Sequence, residues 1–338
     1  TSRFDLFNIQ YVKNVNKSNY FRVYQSSYGR LNDLAQDYAT QINPSFFNDQ
    51  NNLIIEEGTD GFIAGVTEGT ISTTPEDQRV IESISERKTR LTENNLIFAS
   101  SYTYTKTTKT DLLDNNFWIF KTKLESAGNF LGLISRLSDQ PKNPNGNRTI
   151  LEVEYSQYIK GELDFIKHWD LSNSKVLAMR AFFGIAVPYG NSDNIPFSKS
   201  YFAGGSNDIR AWQSYGLGPG SSGGINDFNE ANMKILFSTE LRFKMLGKLY
   251  GAVFADAGNI WNVLDSENNE QYTFTGLKSL EDMALASGFG FRYDFNFFVI
   301  RLDLGFKTYD PGKEVGERWF KDYNLGHSVL NIGINYPF

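Results

Sequence analysis

The sequence contains no cysteine, which excludes a disulfide framework and any thiolate metal ligand or nucleophile. Histidine is almost missing too. Only His168 and His327 occur, in separate segments, so a histidine-rich metal centre is unavailable. The net charge of −6 leaves no basic face for nucleic acid. Long hydrophobic runs are absent as well. The longest are stretches such as Phe297-Phe298-Val299-Ile300, far below the roughly 20 apolar residues of a transmembrane helix.

Aromatic residues, by contrast, are abundant. They make up 15% of the chain, with 28 Phe and 18 Tyr, yet mean hydropathy is only −0.40. A soluble core so rich in Phe should bring apolar runs with it. A barrel strand needs only about 9–11 tilted residues with every second one facing lipid, which hides the membrane signal from a hydropathy average.

From Lys175 onward the pattern alternates with period two, as in strands with two unlike faces. In 300–307, Ile300, Leu302, Leu304 and Phe306 share one face; Arg301, Asp303, Gly305 and Lys307 share the other. In 234–243, Ile235, Phe237, Thr239, Leu241 and Phe243 oppose Lys234, Leu236, Ser238, Glu240 and Arg242. The last stretch sets Leu330, Ile332, Ile334, Tyr336 and Phe338 against Asn331, Gly333 and Asn335. A soluble sandwich also alternates, so composition alone does not separate the two folds.

Connection lengths do. Strands are predicted at about 4–14, 95–106, 115–127, 157–170, 175–187, 232–245, 248–259, 283–294, 297–308 and 328–338. Long links at 15–94, 128–156, 188–231, 260–282 and 309–327 alternate with short ones at 107–114, 171–174, 246–247 and 295–296. Short periplasmic turns and long extracellular loops are the rhythm of an outer-membrane barrel. The expected fold is therefore all-β, a transmembrane antiparallel β-barrel of the bacterial outer membrane, with residues 1–338 as one barrel domain. The final strand then runs downward to the periplasmic rim. The first residues, Thr1-Ser2-Arg3-Phe4, carry no signal peptide, which such a protein requires. The native N-terminus is expected upstream.

Two stretches of the first long link look helical. Thr74-Pro75-Glu76-Asp77 offers an N-cap, a Pro at the first position and acids in the first turn, followed by Val80, Ile81 and Ile84. Leu31, Leu34, Tyr38 and Ile42 form a second stripe. They either pack a surface loop on itself or form a lid or partner-docking surface. Asn143-Pro144-Asn145-Gly146-Asn147 and the run 218–224 are turn and loop chemistry.

Enzymatic motifs fail on context. Gly220-Ser221-Ser222-Gly223-Gly224 spells a nucleophile elbow but sits in a Gly-rich loop, without the strand before it and the helix after it. Gly216 and Gly218 form no dinucleotide loop. Asn147-Arg148-Thr149 matches a glycosylation sequon, which is uninformative in a bacterial surface loop. The scattered carboxylates give no acid/base pair. No catalytic residue, metal or cofactor is expected.

The informative segment is Phe202-Ala203-Gly204-Gly205-Ser206-Asn207-Asp208-Ile209-Arg210-Ala211-Trp212, in the 188–231 link. It resembles the sixth extracellular loop of the BamA/TamA superfamily, with F-x-G-G followed by a hydrophobic-Arg-Gly-aromatic tip. Ala211 stands where that pattern has Gly, and there the sequence resembles the TamL branch more than BamA itself. Val253-Phe254-Ala255-Asp256-Ala257-Gly258-Asn259 resembles the family's Asp-x-Gly strand. The end, with Ile332, Ile334, Tyr336 and Phe338, resembles a barrel-assembly signal. Together these matches cover roughly the last 140 residues.

The resemblance implies a sixteen-stranded barrel preceded by periplasmic POTRA domains. The motif loop follows the fifth strand here and the eleventh in the family. Six strands and the POTRA domains are therefore expected upstream; a self-sufficient ten-stranded barrel is the alternative.

Physical chemistry gives the loop its own reading. Gly204 and Gly205 permit positive φ and close backbone contact, as a loop folding into a crowded lumen requires. Arg210 would carry a permanent charge inside. Unpairing it there costs roughly 3–5 kcal/mol. By alternation Glu240 and Asp256 both point inward, so an Arg210–Asp256 contact is predicted, with Glu240 as second acceptor. Such a cluster could equally just plug and stiffen the barrel.

In the family the seam between first and last strands opens toward lipid and templates an incoming strand. Gly333 and Pro337 fit a weak seam, and Pro337 also fits ordinary edge protection. The resemblance implies an assembly or insertion factor without ATP or cofactor. The alternatives are a dedicated translocator of one substrate and a passive structural barrel or pore. Expected partners are the lipid bilayer, client outer-membrane or surface proteins, and unidentified periplasmic or membrane proteins.

Overall fold

The computed structural model describes residues 1–14, 19–111, 114–138, 142–143, 146–151, 153–172, 174–224, 229–264 and 269–338. Pro144 and Asn145 of the expected turn lie outside the described residues. The chain divides into two compact units, one of residues 1–10, 96–224 and 228–338, the other built on residues 11–95.

The strands in chain order are β1 (Ser2–Val12), β2 (Asn95–Thr107), β3 (Trp118–Ala127), β4 (Thr149–Ile150), β5 (Val153–Glu154), β6 (Tyr158–Asp170), β7 (Lys175–Pro188), β8 (Met233–Leu246), β9 (Leu249–Trp261), β10 (Ala284–Asp294), β11 (Val299–Tyr309) and β12 (Val329–Ile334). β4 and β5 make a small hairpin of their own; the other ten form one sheet in the order β1-β2-β3-β6-β7-β8-β9-β10-β11-β12. Every sheet strand lies beside its sequence neighbour, and β1 and β12 stand at the two ends. Links 108–117, 171–174, 247–248 and 295–298 are short, and those between them are long. Among the described residues no helix is long and apolar enough to cross a membrane.

The two faces of this sheet invert the soluble pattern. One face buries Lys234, Ser238, Glu240, Arg242, Asp256, Arg292, Arg301, Asp303 and Asn331. The other exposes Phe237, Val253, Phe289, Phe291, Ile300, Leu302, Leu330, Ile332 and Ile334. Burying charge while exposing a continuous apolar face is unfavourable in water. It is what a barrel wall does in lipid, where the lumen is polar and the outside apolar. Aromatic clusters flank this outer band. Tyr293, Phe295, Phe297 and Phe298 gather at the short-link end, with ring centroids 4.6–4.8 Å apart. At the long-link end Phe306, Phe320 and Tyr323 do so, with Tyr323 5.0 Å from Phe306. Such girdles mark the two membrane interfaces of a barrel.

All ten expected strands are present, but the last is shorter than its alternation suggests. β12 ends at Ile334. Asn335 takes φ +64°, outside the extended region, and its N–H donates to Val299 O at 2.7 Å. The proline at 337 has no N–H to extend the ladder.

The second unit has a core of its own. Its helices are α1 (Tyr20–Val23), α2 (Gln25–Asp37), α3 (Glu57–Thr67) and α4 (Pro75–Thr92). Phe21, Leu31, Ala35, Leu53, Phe62, Val66, Ile81 and Ile84 are buried together. Thr74 caps α4, its hydroxyl accepting from Asp77 N at 3.2 Å. The expected helices are α4 and α2, but α2 ends at Asp37, so only Leu31 and Leu34 of its expected stripe lie in it, and Tyr38 and Ile42 follow it. Helices α1 and α3 are additional. One further helix, α5 (Asn129–Leu137), lies in the first unit after β3.

Candidate functional site

The long link from β7 to β8 is described at residues 189–224 and 229–232. Bridges between Tyr201 and Ala231 and between Ala203 and Leu217 hold its stem. Gly204 and Gly205 take φ +95° and +104°. A Cβ on Gly204 would stand 2.1 Å from Gln213 O, so the turn closes only with glycine. Asp208 Oδ1 accepts from the N–H of Gly204 at 2.9 Å and of Ile209 at 3.0 Å. The other Asp208 oxygen pairs with Lys234, whose Nζ also donates to Phe202 O at 2.6 Å. The tip is thus tied to β8 before Arg210 is reached.

Arg210 lies against the polar face of β8 to β12. Its Nε and Nη2 donate to Asp256 Oδ2 and Oδ1, both at 2.9 Å, a bidentate pairing. Its backbone N–H adds a third bond to Asp256 Oδ2 at 3.2 Å. Nη1 donates to Glu240 Oε2 at 2.5 Å and lies 3.6 Å from Asp303 Oδ2. The guanidinium sits 3.5 Å above the Phe254 ring, a favourable cation–π geometry. Its carbonyl accepts from Asn331 Nδ2 of β12 at 2.8 Å. Arg210 is 1% exposed, Glu240 and Asp303 0%, and Asp256 1%.

A second ring of charge surrounds this one. Glu240 Oε2 also accepts from Arg292 Nη2 at 2.9 Å, and its Oε1 from Arg242 Nε at 2.8 Å. Arg292 Nη1 reaches Asp303 Oδ1 at 2.5 Å. Arg301 donates to Asn207 Oδ1 of the loop and lies 3.9 Å from Asp303. Arg292 and Arg301 face each other directly across β10 and β11. Two like charges so placed repel, and Asp303, two residues beyond Arg301, offsets this. The cluster joins Arg210, Arg242, Arg292 and Arg301 with Glu240, Asp256 and Asp303, four guanidinium groups to three carboxylates.

Space for the tip comes from glycines on the wall. A Cβ on Gly305 would stand 2.4 Å from Arg210 O, and one on Gly333 2.3 Å from Arg301 Nε. The close approach at the tip is therefore made by Gly305 of β11 beside Ala211, not by a glycine at position 211. Gly333 gives room to Arg301.

The other motif residues anchor the loop. Ile209 and Trp212 are buried with Tyr201, Ala203, Ala211, Leu217, Leu236 and Ile260. Phe202 stacks on Tyr215 at 4.2 Å. The structure thus brings Phe202, Gly204, Gly205, Ile209, Arg210 and Trp212 together with Glu240 and Asp256. It does not bring the C-terminal residues into one row. Ile332 and Ile334 lie on the opposite, apolar face, exposed. Tyr336 and Phe338, beyond the end of β12, lie 4.1 and 5.7 Å from the Arg242 guanidinium. Sequence reasoning missed the roles of Arg242, Arg292, Arg301, Asp303 and Asn331. The signal was there in their parity, which puts all five on the polar face with Glu240 and Asp256.

Residues 9–321 match the Omp85 superfamily domain. The chain belongs to the Omp85 superfamily. This member is an integral outer-membrane protein with a transmembrane β-barrel fold. It is 31% identical over 109 residues to the outer membrane protein assembly factor BamA of Neisseria meningitidis serogroup B (strain ATCC BAA-335 / MC58). That match covers 29% of this chain and 13% of that protein. Among solved structures it is similar to BamA from Haemophilus ducreyi lacking POTRA domains 1–3, with 14% identity and a TM-score of 0.37. That alignment covers 72% of this chain and 55% of the other. CdiB from Acinetobacter baumannii aligns with 13% identity and a TM-score of 0.37, over 71% of this chain and 33% of that one. This Omp85 chain thus spans a minor part of the BamA it matches in sequence.

Proposed function

We propose that this Omp85 protein is an outer-membrane assembly factor. In this reading it helps other barrels or surface proteins enter the membrane, and its Arg210 loop acts as an internal clamp on the terminal strands. The observation that carries this is the reach of the tip. One arginine bonds Glu240 of β8 and Asp256 of β9, lies beside Asp303 of β11, and accepts through its carbonyl from Asn331 of β12. A plug needs only to fill space. A residue that reaches β8, β9 and β11 with its side chain and β12 with its carbonyl restrains their mutual positions.

β12 has a ladder of six residues on β11. A short strand at the end of a sheet order is a pairing template for an incoming strand. The clamp would hold β12 in register on one side while a client strand pairs on the other. In this reading neither nucleotide nor cofactor takes part. A loop folded onto the polar face and bonded there argues against a passive open pore. Resemblance to an assembly factor favours many clients over one, and a dedicated translocator is the second reading.

The test is quantitative proteomics of outer membranes from cells depleted of the protein. One arm is complemented with wild type and one with Arg210→Ala, after checking that the variant itself is inserted. Loss of many unrelated barrels or surface proteins, unrestored by the variant, supports assembly with Arg210 in it. Loss of a single secreted protein means a dedicated translocator. No change means a passive barrel.

A further inference from the structure

Helix α5 follows β3 through Gly128, whose φ of +76° turns the chain out of the strand. Its sequence, Asn-Phe-Leu-Gly-Leu-Ile-Ser-Arg-Leu, has two unlike faces. Leu131, Gly132 and Ser135 are buried against the protein. Leu131 packs with Leu96, Val153 and Tyr155, and Ser135 Oγ bonds Tyr155 OH at 2.8 Å. Arg148 Nη1 donates to Ser135 O at 2.9 Å. The helix is therefore held firmly on one side.

The other side is apolar and bare. Phe130 is 53% exposed, Leu133 58%, Ile134 39% and Leu137 80%. These positions are i, i+3, i+4 and i+7, a single stripe along the helix. In water that spacing belongs on the buried face, and here it points away from the protein.

The location of α5 names what meets this stripe. Leu96 and Phe98 alternate with Ile97 and Ala99 along β2, and Ile97 and Ala99 are buried in a separate cluster on the opposite face. Leu96 and Phe98 thus belong to the outer face, the one that meets lipid. α5 packs on it through Leu131, and Phe130 stacks on Phe98 at 5.4 Å. Phe98 in turn touches Phe7 of β1 at 5.3 Å, so the aromatic contact runs on along the wall. Both Leu96 and α5 lie at the long-link end, where β2 begins and β3 ends. That end faces outward in outer-membrane barrels. Exposed Arg136 stands beside the stripe in the last turn, where a long cationic side chain can reach lipid headgroups.

We propose that α5 is a membrane-interface helix, lying along the outer rim of the barrel with Phe130, Leu133, Ile134 and Leu137 in the acyl–headgroup boundary of the outer leaflet. Its partner is a lipid surface, and the stripe continues the lipid-facing wall. An amphipathic helix in this position buries its apolar face roughly 5–10 Å into the boundary. It anchors the 128–157 link to the membrane plane.

Residues 1–338 contain no cysteine, so once any cysteine elsewhere in the intact protein is replaced by serine, each introduced thiol is a single label. Leu133→Cys and Leu137→Cys, each in the intact protein as the cell makes it, would carry an environment-sensitive fluorophore in phosphatidylcholine vesicles. Leu302→Cys on the outer face of β11 serves as the lipid reference and Glu68→Cys, exposed after α3, as the water reference. Heat-modifiable gel migration checks folding, with Ile134→Cys as replacement for any variant that fails it. The expected result is a blue-shifted emission, quenching by acyl-chain nitroxide lipids and loss of iodide quenching, as at Leu302. Iodide quenching like that at Glu68 would place the stripe in water and overturn the proposal. Protection from both quenchers would mean that protein, not lipid, covers the stripe, and would overturn it equally.

Discussion

Replacing Arg210 by alanine tests the clamp, because counting charges and reading geometry give opposite answers. The cluster holds four guanidinium groups and three carboxylates. By count, removing one arginine should relieve an excess of positive charge. By geometry the loss is concentrated on one group. Glu240 keeps Arg242 and Arg292, and Asp303 keeps Arg292. Asp256, 1% exposed, loses both guanidinium bonds and keeps only bonds to uncharged groups. Leaving a buried charge without its partner costs about 3–5 kcal/mol. At a slope of roughly 3 kcal/mol per molar urea, the unfolding midpoint should fall by about 1–2 M. The buried Trp212 and Trp261 provide the fluorescence signal. Asp256→Asn should cost less, since Arg210 retains Glu240, and Arg210→Met with Asp256→Asn should recover more than half of the single Arg210→Ala loss. A shift below about 0.3 M for Arg210→Ala, or roughly 1 kcal/mol on that slope, would refute the geometric account.

Other perturbations separate the remaining claims. Gly305→Ala puts a methyl group 2.4 Å from Arg210 O, so the tip must shift; a loss of about 1–3 kcal/mol is expected, with altered Trp212 emission and faster proteolysis of the 189–232 segment. Leu302→Arg, on the apolar face, should hinder insertion into vesicles and cost about 2–4 kcal/mol if that position lies near mid-bilayer; unimpaired folding in lipid would contradict the assignment of faces. In α4, hydrogen bonds from Tyr38 and then Thr74 hold the Asp77 carboxyl below its ordinary range. A depressed carboxyl stabilises fully above its unfolded value, about 4, and that contribution is lost as pH falls through the lower folded value. Hydrogen-exchange protection of residues 75–92, corrected for intrinsic rates, should therefore decline below about pH 4, and Asp77→Asn should flatten the profile.

Much of this was legible in sequence because a barrel strand must alternate wherever it has two solvents, and parity alone put Glu240, Asp256, Arg301 and Asp303 on one face. What parity does not supply is register. That Arg292 opposes Arg301, and that Asp303 lies between Gly290 and Asn331, are pairings fixed only when the strands are laid side by side. α3 was hidden for another reason. Gly58, Gly61 and Gly65 give it poor helix propensity. Yet a Cβ at Gly58 would stand 2.2 Å from Phe46 O and one at Gly61 2.4 Å from the Phe46 ring, so close packing outweighs propensity. α5 was read as loop because its nine residues leave little room for a period to declare itself. The shortened β12 was misjudged because Tyr336 and Phe338 keep the period after the backbone has turned at Asn335.

The same short strand connects the cluster to the edge it borders. β12 pairs with β11 along six positions, from Ile300↔Ile334 to Gly305↔Val329. One polar contact and one packing contact reinforce that ladder from the inner face: Asn331 Nδ2 donates to Arg210 O at 2.8 Å, and the Arg301 side chain lies over Gly333. Arg301 in turn is held by Asn207, only three residues before Arg210. The tip therefore meets β12 directly and through β11, in a region that contributes few backbone bonds of its own. A hydrogen bond there is worth only about 0.5–1.5 kcal/mol, but against so short a ladder it is a substantial share. Loosening the tip would weaken the end strand first and the longer ladders of β8 to β11 last. In the proposed function this order places the first loss of pairing at the edge that an incoming strand would use.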